Sequence, residues 1–158
     1  QGWYRGLGFN VQAKPFDELK VRKALAMATD LDSAVSNVFG ENAIRAYGQV
    51  APGLIGYDPS LAELWPYDPD GALALLEEAG FTHGSDGLLQ RDGEKLSVEI
   101  KTMNEPARVK MVTIMVTQLR KLGIDAKLAI QEVGTWVADL QSGNTGLFMD
   151  FATCYVPL

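Results

Sequence analysis

The sequence has one cysteine and one histidine among 158 residues, and this scarcity excludes several kinds of chemistry. A single cysteine, Cys154, cannot form an internal disulfide, and it leaves the redox compartment undecided. One histidine and one cysteine also cannot supply a zinc site of the common kinds. His83 lies in a cluster of glycine, serine and aspartate, which is typical of a solvated turn and not of a triad's general base. The sequence therefore predicts neither a metal site nor a hydrolytic triad.

Glycine-rich signatures of nucleotide binding are missing as well. No glycine-rich loop ends in Lys-Ser or Lys-Thr, as a P-loop does. Gly6-Leu7-Gly8 lacks the third glycine and the helix start of a dinucleotide fingerprint. The stretch after Asp68 lacks the ligand spacing of a calcium loop. We predict no cofactor and assign no catalytic residue, so that a non-enzyme is expected. An α/β enzyme that uses paired carboxylates stays open as an alternative, because a sequence does not show which carboxylates meet.

Long apolar runs and an excess of positive charge are also absent. No stretch is long enough to span a membrane as an apolar helix. The formal net charge is −6 and the pI is about 4.7, which argues against nucleic acid as a partner. A length of 158 residues is that of one domain with a core of its own.

Hydrophobic periodicity predicts an α/β fold. Strand patterns cover 3–11, 96–102, 124–131 and 147–152, and Asp92-Gly93 predicts a small hairpin between Leu88-Leu89 and the run from Leu96. Helical patterns begin near Asp17 and cover 32–39, 69–79, 106–122 and 135–141, with Asp30 and Asp68 as caps. In the last third, strand and helix alternate with short links, which predicts a parallel βαβαβ unit. Residues 41–66 show no period, and we expect a long loop that is packed down by its own aromatic residues.

Three segments carry a family resemblance. Gly8-Phe9-Asn10 precedes a helix that contains Phe16-Asp17, Val21-Arg22-Lys23-Ala24-Leu25 and Ala28-Thr29-Asp30. Tyr67-Asp68-Pro69 opens a second matching segment that ends in Ala79-Gly80-Phe81, and Leu122-Gly123-Ile124 closes a third. Together these segments resemble, in order, the extracellular solute-binding proteins of ABC importers, family 5, which take up oligopeptides, dipeptides and nickel.

The resemblance implies a fold and a function. The fold would be one lobe, residues 1–158, of a periplasmic-binding-protein type II structure, in which 41–66 is a long loop that wraps across the lobe. Members of the family are roughly three times longer, so we expect a C-terminal lobe fragment that lacks its N-terminal lobe. The implied function is to capture a peptide or a similar small solute outside the cytoplasmic membrane and to deliver it to the ABC permease. Localisation would be periplasmic or extracellular, with lipid anchoring of the full-length protein still open.

Candidate ligand-binding residues follow the ends of the predicted strands, since open α/β sheets bind ligands beyond the carboxyl ends of their strands. Asn104 follows one strand and offers both a donor and an acceptor. Arg108, in the next helix's first turn, can bind a carboxylate through two oxygens. The remaining candidates are Glu132, Thr153, Cys154 and Tyr155.

The terminal region departs from the family's pattern. Peptide-binding members carry a tryptophan and then an aspartate there, and the aspartate holds the ligand's amino group. This chain has no tryptophan in that place, and counting back from Pro157 puts Thr153 near the position of the aspartate. The identity of the solute therefore stays open. A second alternative function is a protein-interaction module whose surface is an exposed apolar patch on 41–66.

Overall fold

A four-stranded mixed sheet with helices against it forms the centre of the molecule. The computed structural model describes residues 2–4, 6–48, 50, 52–64, 66–149 and 153–155, with side chains from residue 6 to residue 149. The sheet has the order β2-β8-β6-β7, and the described strands also form a three-stranded sheet β3-β4-β5 and the pair β1-β9. The strands are β1 Gly2–Tyr4, β2 Leu7–Phe9, β3 Thr82–His83, β4 Leu89–Arg91, β5 Glu94–Lys95, β6 Ser97–Met103, β7 Asp125–Gln131, β8 Leu147–Met149 and β9 Thr153–Tyr155. The α-helices are α1 Leu19–Met27, α2 Leu31–Phe39, α3 Pro69–Glu78, α4 Pro106–Lys121 and α5 Val133–Ser142.

The predicted parallel unit is confirmed. Strands β6 and β7 pair in parallel from Ser97↔Asp125 to Met103↔Gln131, and β8 pairs in parallel with the other edge of β6. Val98, Ile100 and Thr102 of β6 are buried, because alternate side chains point to the face that α4 covers. Helix α4 contributes a matching stripe of buried residues, namely Met111, Val112, Met115, Val116 and Leu119. This packing places the ends of β6 and β7 side by side.

The strand predicted over 3–11 is in fact two strands in two sheets. Residues Gly2–Tyr4 pair antiparallel with β9, whereas Leu7–Phe9 pair antiparallel with β8. The prediction of one strand was wrong because the residues that pair with these segments lie about 140 positions away, and local alternation does not show a change of partner. The strand predicted over 147–152 begins as expected with β8, and residues 150–152 lie outside the described part of the chain.

Side-chain caps fix the start of two of the five α-helices, α2 and α3. Asp30 accepts hydrogen bonds from Ser33 N and Oγ at the start of α2, and Asp68 accepts one from Gly71 N at the start of α3. These two predicted caps are confirmed. Helix α1 begins at Leu19, and the side chain of Glu18, in the N-cap position, makes no capping bond. Glu18 instead forms an ion pair of 2.6 Å with Arg91 of β4.

The Asp92-Gly93 turn joins β4 to β5. Both turn residues have positive φ, 54° and 81°, as a two-residue type I′ hairpin requires. The hairpin is confirmed, although its second strand is Glu94–Lys95, and the run from Leu96 belongs to the main sheet. Gly123 holds the hairpin against the α4–β7 junction, since its carbonyl accepts a 2.7 Å bond from Leu89 N.

Residues 41–66 form a connection with two short 3₁₀ helices, Gly40–Asn42 and Pro59–Glu63. No described residue between 41 and 66 is fully buried, and Ile44 and Ile55 are 70% and 104% exposed. Tyr47 is exposed, Tyr57 is half-buried and Trp65 lies outside the described residues, so packing of this segment by its aromatic side chains stays a prediction. Arg45 supplies an anchoring contact, through Asp32 at 2.8 Å and the ring of Tyr47 at 4.5 Å. None of the described helices has the length and apolar character needed to cross a bilayer.

Candidate functional site

Two predicted site residues meet where parallel strands end. The last pair of the β6–β7 ladder is Met103↔Gln131, so Asn104 and Glu132 leave the sheet side by side. The backbone N–H of Asn104 donates a 3.1 Å hydrogen bond to the Gln131 carbonyl, which ties the two exits together. Both Asn104 and Glu132 are exposed, and Glu132 makes no capping bond to α5 although it occupies the N-cap position. Their side chains are therefore available to a ligand at this edge, which we call the carboxyl edge.

Arg108 lies at the same edge but is already engaged. It stands in the first turn of α4, and its Nε is 2.8 Å from Glu105 Oε2. The two groups form an ion pair, but the Nε–H does not point at the oxygen closely enough to make a hydrogen bond. The side chain of Arg108 is only 13% exposed. A solute carboxylate would therefore have to compete with Glu105 for this guanidinium.

The third predicted group lies in β9. Thr153, Cys154 and Tyr155 pair with Tyr4, Trp3 and Gly2, respectively, in an antiparallel ladder. Only the backbone of these three residues is described, so the structure does not test a role for their side chains.

Behind the carboxyl edge, Asp139 of α5 is the centre of a polar cluster that the sequence patterns did not predict. Its carboxylate accepts hydrogen bonds from Gln131 Nε2 at 2.8 Å, Lys101 Nζ at 2.7 Å and Asn144 Nδ2 at 3.1 Å. The bond from Gln131, followed by that from the Lys101 ammonium, lowers the pKa of Asp139 to about 2. The cluster fixes α5 to the sheet and holds Gln131 beside Asn104 and Glu132. No spacing rule connects these residues, since Lys101 and Asp139 are 38 positions apart.

The Gly8-Phe9-Asn10 motif has a structural role in this lobe. A Cβ at Gly8 would overlap the ring of Phe148, which lies directly above it on β8. Phe9 packs against the core and against Phe16, at 5.9 Å between ring centroids. Asn10 holds the turn before β8, because its backbone N–H donates to the Gly146 carbonyl at 2.8 Å. The motif therefore joins β2 to β8 and to the turn that leads into β8.

The pKa shifts of the described carboxylates bear on the enzyme alternative. Each aspartate or glutamate with a shifted pKa has it lowered, by hydrogen bonds or by a neighbouring cation, and none has it raised. Within the described residues, no three metal-binding side chains come together. General acid catalysis by a carboxyl group at neutral pH requires a raised pKa, so these residues give the enzyme alternative no support.

Comparison with known proteins identifies the family. The family model for bacterial extracellular solute-binding proteins, family 5 Middle, matches residues 1–152. The chain belongs to this family. Among curated family 5 proteins, it is 32% identical over 142 residues to di/tripeptide-binding protein 2 of Pseudomonas aeruginosa, covering 89% of this chain and 25% of that protein. It is also 32% identical over 145 residues to the oligopeptide-binding protein AppA of Bacillus subtilis, covering 89% and 26%.

Solved structures agree with this assignment. The chain superposes on NikA from Brucella suis, solved in complex with Fe(III)-EDTA, with a TM-score of 0.86 and 29% identity over 98% of this chain and 31% of that one. AppA from Bacillus subtilis, solved with a nonapeptide, gives a TM-score of 0.80 and 29% identity over 93% of this chain and 30% of AppA. The chain thus spans about a quarter of the curated relatives' length. The α/β fold with its parallel unit is that of type II periplasmic binding proteins.

Proposed function

We propose that this chain is one lobe of the substrate-binding component of an ABC importer, which captures a peptide or a similar small solute and delivers it to the membrane permease. Membership of family 5 supports the class of protein, and the names of the relatives support peptides as the solute. The observation on which the proposal rests is the carboxyl edge, where β6 and β7 end together and leave Asn104 and Glu132 exposed. Ligands of open α/β sheets bind at such edges. The family's extracellular class supports a periplasmic or extracellular location.

A second lobe completes the mechanism. Binding proteins of this class close two lobes on a solute, and the solute shifts the equilibrium only by the contacts that it gains in the closed state. Because the chain spans about a quarter of its relatives, we propose that the N-terminal lobe of the same protein is its partner. The closed form would then dock on the permease. A single lobe supplies only part of these contacts, so we expect it to bind the solute weakly.

Each residue of the carboxyl edge has a proposed role. The Asn104 amide can donate to a solute carbonyl and accept from a solute N–H, as a peptide backbone requires. Glu132 carries a carboxylate that can accept from an amino group. Arg108 can pair with a solute carboxylate once that group displaces Glu105. Thr153, Cys154 and Tyr155 are proposed to contribute from β9, which follows the end of β8. None of these roles involves catalysis.

Amide-detected NMR titration of this chain with a dipeptide tests the location of the site, because it detects weak binding. We expect saturable shifts at Asn104 and Glu132, with a dissociation constant on the order of millimolar. Asn104→Ala and Glu132→Gln should each weaken binding several-fold, whereas Glu94→Gln, an exposed glutamate on β5, should have no effect. Shifts confined to another region would refute the carboxyl edge as the site.

Native mass spectrometry of the full-length protein, secreted and purified without refolding, tests the solute class. Retained small masses that resolve to peptides would support peptide transport. Retained masses of metal chelates or sugars would keep the binding function and refute the peptide assignment.

A further inference from the structure

A second concave site lies on the same lobe, near the amino end of β8. Two adjoining cavities of about 350 and 370 Å³ share Gly143 and Thr145. Lys14, Glu99 and Lys101 line the first cavity, and Asn10 and Gln12 line the second. We call this pair of cavities the amino-edge groove. Its lining residues differ from those of the carboxyl edge, although Lys101 lies on β6 only three positions before Asn104. Cavities of this size accommodate small molecules.

The wall formed by residues 143–146 has its carbonyl groups largely engaged. The Gly146 carbonyl accepts from Asn10 N at 2.8 Å, and the Gly143 carbonyl accepts from Asn10 Nδ2 at 3.2 Å. The Asn144 carbonyl accepts from Lys101 Nζ at 2.6 Å. Since these acceptors are satisfied by the protein itself, the groups that this wall can still offer to a ligand are mainly donors.

Thr145 is the clearest of these donors. Its side chain is buried, with the residue 7% exposed, and its hydroxyl has no hydrogen-bond partner. Within the described residues, the backbone N–H groups of Thr145 and Gly146 also donate to no other group. Buried polar groups in folded proteins nearly always have a partner, so the Thr145 hydroxyl is positioned to bind a ligand that enters the groove.

Opposite charges flank these donors. Lys14 and Glu99 line the same cavity, and no ion pair joins them in the described structure. The other cation in the lining, Lys101, is already bound to Asp139 at 2.7 Å. A ligand that fits must therefore place an anionic group near Lys14 and Thr145 and a cationic group near Glu99. We propose that the amino-edge groove binds a small zwitterion, a free α-amino acid, through its carboxylate at Lys14 and Thr145 and its ammonium group at Glu99.

NMR titration of the chain with glycine, acetate and methylammonium tests this proposal. Glycine should shift the amide resonances of Thr145 and Gly146 saturably, with a dissociation constant on the order of millimolar. Acetate and methylammonium each satisfy half of the site and should bind about ten-fold more weakly. Lys14→Gln should weaken glycine and acetate alike, whereas Glu99→Gln should weaken glycine and leave acetate unchanged. Thr145→Val removes the hydroxyl at nearly constant volume and should also weaken glycine.

Matched controls separate this site from general charge effects and from the carboxyl edge. Lys121→Gln and Glu63→Gln remove exposed charges elsewhere on the lobe and should leave glycine binding unchanged. Acetate that binds as tightly as glycine would overturn the zwitterion assignment. Glycine that produces no saturable shift at Thr145 and Gly146, or that shifts Asn104 and Glu132 instead, would overturn the site. The dipeptide titration tests the carboxyl edge separately, so that a failure of this proposal and a failure of the proposed function can be told apart.

Discussion

Gly123 is the position at which a single methyl group should cost the most. It follows the last turn of α4, is buried, and has φ of 87°, a conformation that L side chains rarely adopt. A Cβ there would lie 2.7 Å from the Gly87 carbonyl oxygen and 2.9 Å from His83 Nε2. The carbonyl belongs to the backbone of the turn before β4, so it cannot rotate away. Gly123→Ala should therefore strain the contact between the hairpin and the α4–β7 junction.

The expected loss can be built from separate terms. A left-handed alanine costs roughly 1–2 kcal/mol, and overpacking costs roughly 1–3 kcal/mol. Alanine also lowers the conformational entropy of the unfolded chain, which stabilises the folded state by about 0.4–1 kcal/mol. Gly123→Ala should therefore lower the free energy of unfolding by about 2–4 kcal/mol, which is a large part of the roughly 5–15 kcal/mol available to a domain.

Alanine substitutions at two other glycines separate the conformational cost from the cost of the steric overlap. Gly87 has φ of 79°, and no atom lies within 4 Å of the position that a Cβ would take there, so Gly87→Ala should show the conformational cost alone, about 1 kcal/mol. Gly134 lies in α5 with open space around it, so Gly134→Ala should stabilise the protein by about 0.5 kcal/mol.

Urea unfolding followed by tryptophan fluorescence measures all three variants. With a slope of roughly 2 kcal/mol per molar urea, the Gly123→Ala midpoint should fall by about 1–2 M. The order of midpoints should be Gly134→Ala, wild type, Gly87→Ala and Gly123→Ala, from highest to lowest. If Gly123→Ala unfolds at the same urea concentration as Gly87→Ala, the contact with the Gly87 carbonyl is not what requires a glycine.

Three further predictions concern other parts of the lobe. Asp139→Asn should destabilise the protein at neutral pH. The difference in urea midpoint between this variant and wild type should shrink as pH falls from about 4 towards 2, because a carboxylate with a lowered pKa stabilises the fold only while it is ionised. A constant difference across this range would contradict the role of the Asp139 charge. Asp68→Ala should cost about 1 kcal/mol in urea unfolding through loss of the α3 cap, while Asp17→Ala, at a position that caps nothing, should cost less than half of that. Leu76→Ala, at a fully buried position, should cost about 2–5 kcal/mol, and a cost below about 1 kcal/mol would contradict its place in the core.

Local signals were sufficient for the parallel unit. The alternation through Val98 and Ile100, the helical stripe through Val112 and Leu119, and the short links between them leave few other arrangements. Signals failed where a distant partner decides the structure. The side chain of Glu18 does not cap α1, since it pairs with Arg91 from 73 positions away. The first strand divides because β8 and β9 each pair with part of it. Such contacts depend on the assembled fold, which local pattern does not contain.

The candidate site was predictable to the same extent. That Asn104 and Glu132 lie together follows from the topology, since parallel strands of equal length end at one edge. The sequence shows that Glu105 and Arg108 are spaced as an i, i+3 pair on a helix. It does not show whether Arg108 prefers Glu105 or a solute carboxylate as its partner. The placement of Thr153, Cys154 and Tyr155 remains a prediction for their side chains.

Asp139 connects the two edges of the lobe. Its carboxylate accepts hydrogen bonds from Gln131 at the carboxyl edge and from Asn144 in the wall of the amino-edge groove. Lys101 donates both to this carboxylate and to the Asn144 carbonyl. In the proposed closure of two lobes, each lobe would move as a rigid body, and binding residues are most precise when they stand on fixed elements. Helix α5 has few buried apolar residues of its own, with Trp136 as the described one, so apolar packing alone holds it weakly. The charge cluster at Asp139 therefore supplies the rigidity that keeps Glu132, at the start of α5, in register with Asn104 at the end of β6.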